Sequence, residues 1–319
     1  MNRKSDLNNT SSIYLSKESE QMNRKPLLFG THLLIAFMIA AMTVAVEPAG
    51  AENNAGPFSL DVGLDITTQY FFRGILQEDA GLIAQPWGEL GISLYTGGEG
   101  DTINSVGATI GWWNSLHEEQ TGTDDDGPAI WYETDLYAGV SVDFYEKWSV
   151  GVAYTLYNSP NSAFDDVQEL QINLGFDDSA CWEAAGVDIP GFSGFRPNVT
   201  VAFETKNAAD GADEGVYIEL ALEPSFTPMP NSGLEKLTLS VPITLGFSAD
   251  EYYQSPSNGD DETFGFLEVG VNLSWPLADN IDLSAGPYFL FLGSTAEDFN
   301  DGDDESFELI GKLGISISF

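Results

Sequence analysis

From residue 58 to residue 319 the chain is written with a period of two. Apolar side chains alternate with small or polar ones, and clusters of Gly, Asn, Asp and Pro separate one alternating stretch from the next. Successive side chains of a β-strand point to opposite faces, so the pattern predicts strands with one apolar and one polar face. In the stretch 305–319, Phe307, Leu309, Leu313, Ile315, Ile317 and Phe319 share a face, with Glu308, Lys312, Ser316 and Ser318 opposite and Ile310 as the exception. Leu237, Leu239, Val241, Ile243, Leu245 and Phe247 alternate just as regularly with their polar neighbours.

Segmentation gives twelve strands, at 58–74, 82–95, 104–116, 130–144, 147–157, 166–176, 196–206, 215–226, 235–248, 263–275, 280–294 and 305–319. They exceed the five or six residues usual in globular sheets and match the tilted strands that cross a bilayer. Aromatic residues gather toward strand ends (Tyr70-Phe71-Phe72, Trp112-Trp113, Trp131-Tyr132, Tyr145, Trp148, Trp275, Tyr288), as an interfacial girdle requires. The expected architecture is all-β: a closed antiparallel transmembrane β-barrel of about 12 strands.

The first fifth of the chain reads differently. Residues 1–21 are polar and are expected to be a disordered extension or a mis-assigned start. Residues 22–51 carry a basic Arg24-Lys25, an uncharged run from Leu33 to Val46 and the small-residue site Ala49-Gly50-Ala51, which together predict a cleavable signal peptide. The barrel would occupy 52–319, in an outer membrane. Phe319, an aromatic terminus on an amphipathic strand, is the expected signal to the barrel-assembly machinery.

Charge narrows the partners. The chain holds 11 Lys and Arg against 50 Asp and Glu; after residue 51 the balance is 6 against 46, a net of −40. Such a surface repels nucleic acid and anionic lipid. If the first strand runs outward, the connections 75–81, 117–129, 158–165, 207–214, 249–262 and 295–304 lie outside; they hold about half of these acids and no Lys or Arg. On the other side, 145–146 and 276–279 are short turns. The long 177–195, with Cys181 and Trp182, breaks the pattern and suggests a missed hairpin or a periplasmic lid.

Chemistry is sparse. His117, at the rim of an acidic loop, is read as a solvated residue, with no G-x-S-x-G beside it. No cofactor and no enzymatic reaction are expected. Asp298, Asn300 and Asp304 have the alternate spacing of a calcium loop, but Gly302 departs from the full pattern, and Asp124-Asp125-Asp126 reads as a solvated turn. Divalent cations are therefore possible partners, beside lipid.

The inward faces carry Asp61, Asp65, Asp135, Glu169, Glu219, Glu268 and Glu308 against Arg73, Lys236 and Lys312. Charges facing lipid would cost several kcal/mol, which assigns these to the lumen. They admit two readings, an internal salt-bridge plug or a narrow cation-preferring pore, since acidic rings favour cations. The pore reading leads: a porin-like channel for small or cationic solutes. The alternative is a structural or surface-interaction barrel with acidic extracellular loops, and an outer-membrane hydrolase is third.

The segment Tyr70-Phe71-Phe72-Arg73-Gly74-Ile75-Leu76-Gln77 resembles the Y-x-F-R-G-I-x-Q motif of the TorF-like (Gcw_chp) family of outer-membrane proteins. The stretches 132–139 and 150–158 are similar to that family's two central strands, and the likeness runs from about 58 to 177. The resemblance implies a barrel in the outer membrane and singles out Tyr70, Phe72, Arg73, Gly74 and Gln77, but no reaction. Arg73-Gly74 is expected at the exit of the first strand, either as a rim cation braced by lumen carboxylates or as an internal ion pair.

Overall fold

The computed structural model describes residues 56–119, 121, 129–230, 234–255, 259, 261–299 and 306–319. The expected extension 1–21, the expected signal peptide 22–51, Asp124 to Asp126, Asn300 and Asp304 lie outside the described residues.

Strands form where the sequence alternates. They are β1 (Phe58–Thr67), β2 (Tyr70–Phe72), β3 (Ile75–Glu78), β4 (Ile83–Thr96), β5 (Ile103–His117), β6 (Trp131–Phe144), β7 (Trp148–Asn158), β8 (Val167–Phe176) and β9 (Asn198–Lys206). There follow β10 (Val216–Leu222), β11 (Ser225–Phe226), β12 (Thr238–Ser240), β13 (Ile243–Asp250), β14 (Phe264–Gly270), β15 (Asn272–Ala278), β16 (Ile281–Leu292) and β17 (Phe307–Ser318). Three pairs, β10/β11, β12/β13 and β14/β15, are single staves broken in the middle. Pro224 and Pro242, which lack the N–H a ladder needs, sit at two of the breaks. With β2 and β3 set aside, twelve antiparallel staves remain.

Each stave pairs with its neighbours in sequence, and β1 also pairs with β17, from Asp61↔Ser318 to Thr67↔Lys312. The sheet is therefore a closed twelve-strand antiparallel barrel with no free edge. The twelve expected segments correspond to the twelve staves. The first was drawn too long: β1 ends at Thr67, and Tyr70 to Glu78 leave the wall altogether.

The alternation sorts the faces. Ile110 and Leu136, midway along β5 and β6, and Leu309 near the start of β17 are more than half exposed on the outside, and many other apolar side chains of the wall are exposed with them. Apolar exposure around a whole barrel is the inverse of a water-soluble surface. Trp131, Phe264 and Phe307 stand outward near one end, and Tyr145, Trp148 and Trp275 near the other, giving two aromatic girdles. Tyr70, Phe71 and Phe72, which leave the wall, and Trp113, Tyr132 and Tyr288 depart from the girdle expected of them. Trp113 lines the lumen, Tyr132 is buried inside, and Tyr288 sits beneath the ammonium of Lys312 at 4.0 Å.

The long acidic connections gather at one end of the barrel, here the loop end; the short turns at 145–147 and 279–280, with the start of β1 and the finish of β17, lie at the turn end. The connection 177–195 is not a hairpin. It holds the short helix α1 (Ser179–Ala184); Phe192 stacks on Phe226, and Phe195 meets Trp182 and Phe192 edge to face. Asp178 organises it, accepting N–H bonds from Arg196 (2.9 Å), Phe195 (3.2 Å) and the Trp182 indole (2.6 Å). Burial alone would raise its pKa, but these donors outweigh burial and hold the carboxyl below the usual carboxylate range.

Candidate lumen site

Past Thr67 the chain turns into the barrel. β2 and β3 pair only with each other, joined by the two-residue turn Arg73-Gly74 with φ of 51° and 85°. Two consecutive left-handed residues make the type I′ hairpin turn, whose twist matches that of the strands. Glycine suits position 74 on two counts: its φ is positive, and a Cβ there would crowd the Phe266 ring at 3.1 Å.

Arginine at φ 51° costs of order 1–2 kcal/mol. Its contacts offset that. The guanidinium grips Glu169 of β8 with both arms, Nη1 to Oε2 at 2.5 Å and Nη2 to Oε1 at 2.7 Å. Nη1 also donates to the Tyr252 hydroxyl at 2.9 Å, and the group lies 4.2 Å from the centre of the Tyr217 ring. Tyr253 donates back to the Arg73 carbonyl at 2.8 Å. Arg73 is 11% exposed and Glu169 1%, so the pair is fully internal, and the rim-cation expectation gives way to the internal ion pair. A planar fork on a carboxylate is the geometry at which arginine excels.

The hairpin is flanked by two apolar clusters. Ile75 packs with Tyr217, Tyr252, Tyr253, Phe266 and Leu290, and Tyr70 with Ile83 and Tyr132. Tyr70 donates to Glu133 at 2.9 Å, and the Tyr132 hydroxyl donates to Gln77. Among the described residues, the hairpin thus fills the loop end of the lumen and is held by β6, by β8 and by Tyr252 and Tyr253.

Toward the turn end the lumen opens. A cavity of about 660 Å³ lies against the hairpin, with Phe72, Arg73, Trp113, Asp135, Tyr137 and Gln171 on its walls. A second, of about 650 Å³, continues to the turn end beside Lys147 and Arg196. Asn173, Thr200 and Glu219 border both.

Of the remaining expected lumen charges, Asp135 and Glu219 border these cavities and the others do not. Asp65 accepts the Trp87 indole N–H at 3.0 Å, and Glu219 the Tyr217 hydroxyl at 2.9 Å. Lys312 approaches Glu268 at 3.8 Å, and Gln69 donates to Glu308 at 2.9 Å. Asp61 is half-buried on β1. Lys236, expected inside, lies exposed in the turn before β12. Asp135 is nine-tenths buried, and its Oδ1 has no hydrogen-bond partner among the described residues.

His117 is not a solvated loop residue. It is 1% exposed, stacked on Tyr132 at 4.5 Å, with Nε2 against the Ser115 hydroxyl and Nδ1 against that of Thr121, each at 2.8 Å. Glu78 stands 3.7 Å from Nδ1. Serine, imidazole and carboxylate in this order resemble a nucleophile and its base, but Ser115 is wholly enclosed and borders neither cavity. Asp298 accepts the Ser255 hydroxyl at 2.5 Å, and no cluster of three potential metal ligands occurs among the described residues.

Sequence reading missed the hairpin. Its signal was present: a two-residue turn with glycine, flanked by Tyr-Phe-Phe and Ile-Leu-Gln. The alternation of β1 runs into those aromatics and masks the break.

No protein-family model matches the chain, and no curated protein matches it in sequence. Solved structures do. An outer membrane channel from Pseudomonas putida F1 aligns at a TM-score of 0.46 and 9% identity, over 86% of this chain and 100% of that one. Outer membrane phospholipase A from Escherichia coli, as an active-site mutant, aligns at 0.42 and 12%, over 88% and 96%. The transport unit of the autotransporter AIDA-I from Escherichia coli aligns at 0.39 and 11%, over 90% and 97%. At these identities and scores the likenesses do not choose among such roles for this chain.

Proposed function

We propose that this chain is an outer-membrane barrel that conducts small or cationic solutes through a narrow lumen, with the β2–β3 hairpin as its constriction. The observation that carries the reading is the pair of cavities that share Asn173, Thr200 and Glu219 between the hairpin and the turn end. A barrel that needed only a filled core would close this space with apolar side chains; polar and acidic ones keep it wet. The outward apolar belt and its two girdles support placement in a bilayer, and the likeness of Tyr70 to Gln77 to the TorF-like motif agrees with it.

The test is planar-bilayer recording on refolded protein. Small, cation-selective conductance is expected; a folded barrel with no conductance would overturn the reading. The packed hairpin gives that outcome a ready meaning, a structural or surface-interaction barrel. We read Ser115 and His117 as a structural pair, so His117→Ala should alter stability without removing any hydrolytic activity.

A further inference from the structure

We infer that the cavity beneath the hairpin is a binding site for a compact organic ammonium ion, with Asp135 as its anionic partner. The inference rests on the channel reading for the route by which such an ion arrives, and it gives that reading a solute class.

Three observations converge. Asp135 lines the cavity, yet its Oδ1 is unpartnered. A buried acceptor left unsatisfied is costly, and native structures keep few of them without a ligand, an ion or water to explain them. Glu133, two residues along on the same face of β6, is also buried; it accepts from Tyr70 and shares a side-chain hydrogen bond with Asp135, which leaves Oδ1 of Asp135 still unpartnered. Second, among the described residues no cation pairs with the Asp135–Glu133 carboxyls. Arg73 is the one cation on the cavity wall among the described residues, and both of its terminal nitrogens are committed to Glu169. Third, part of the remaining wall is aromatic: Tyr70, Phe72, Trp113, Tyr137 and Tyr157 line the same space, beside polar residues such as Gln171 and Asn173 and a second carboxylate, Glu219.

Aromatic walls decide between kinds of cation. A strongly hydrated metal ion needs several oxygen ligands to replace its water, and no three His, Cys, Asp or Glu side chains cluster among the described residues. An alkylammonium ion is weakly hydrated, is attracted to ring faces, and buries its carbon against them. The cavity, about 660 Å³, is within the range of small-molecule sites.

Calorimetry on the full chain refolded in detergent tests this, with choline chloride, its uncharged isostere 3,3-dimethylbutanol and potassium chloride as probes. Saturable choline binding is expected, with the isostere at least tenfold weaker. Asp135→Asn should weaken choline at least tenfold, whereas Asp279→Asn, in an exposed turn, should leave it unchanged. No saturation, equal binding of the isostere, displacement by equimolar potassium, or undiminished affinity in the Asp135 variant would each overturn the inference. If that variant fails to fold, the isostere comparison on the unaltered protein decides alone. Conductance in potassium chloride separates the two claims: a conducting barrel that ignores choline removes this site and keeps the channel, and a silent barrel that binds choline does the reverse.

Discussion

Arg73→Ala should unseat the hairpin without unfolding the barrel. The side chain supplies both hydrogen bonds of the ion pair, one bond to Tyr252 and a cation–ring contact with Tyr217. Removing one member of a buried pair costs about 3–5 kcal/mol, because the other charge is left uncompensated. Glu169 keeps donors from Tyr157 at 3.3 Å and Gln171 at 2.5 Å, which places the loss near the lower figure. Alanine inherits the same φ of 51°, so no backbone strain is relieved in exchange.

About 3 kcal/mol shifts a docking equilibrium by more than a hundredfold. The twelve-stave ladder does not include β2 or β3, so the shift falls on the hairpin. Hydrogen exchange at residues 70–78 should accelerate by about that factor while the staves stay protected. Single-channel conductance should rise on the same protein. Arg73→Lys, which keeps the charge but not the fork, should fall between the two. Unchanged exchange at 70–78 in the alanine variant would refute the argument that this ion pair holds the hairpin in place.

Further outcomes follow from other parts of the molecule. Gly74→Val should loosen the same hairpin through the αL penalty and the clash with Phe266, by at least about 1–2 kcal/mol, read as faster exchange at 70–78. Leu136→Arg, on the outward face midway along β6, should weaken folding into liposomes by about 2–4 kcal/mol, and an unchanged folding free energy would contradict the membrane-facing assignment. Asp178 has a folded-state pKa below its unfolded value of about 3.9, so its stabilisation is present above that pH and lost as pH falls through the lowered value. Asp178→Asn should therefore abolish an acid transition in Trp182 fluorescence below about pH 4, where the unaltered protein shows one.

The barrel was legible because its wall obeys one rule, period-two alternation, that every stave repeats. Leu309 and Glu308 could be assigned to opposite faces from spacing alone, and the structure keeps them there. Lumen carboxylates such as Glu169 were legible for the same reason. Their partners were not, because Arg73 meets Glu169 across 96 positions of sequence and nothing in either neighbourhood encodes the meeting. The hairpin was hidden because its aromatics continue the apolar rhythm of β1 while facing the lumen. His117 was misread for a related reason: it stands where a loop should begin, but it is the last residue of β5, and Tyr132 from the next stave covers it.

The seam between β1 and β17 has a consequence for how the molecule is assembled. Those strands are 243 positions apart at the pair Thr68 and Gly311, where a backbone bond still joins them. Neither can satisfy its outer row of N–H and C=O groups until nearly the whole sheet has been built. Contacts of such sequence separation form late and slowly. An unfinished barrel therefore carries two long open strand edges, the features that draw chains into edge-to-edge aggregation. Until the seam shuts, the nascent sheet depends on being shielded from copies of itself, and the rate of that last step sets how long the hazard lasts.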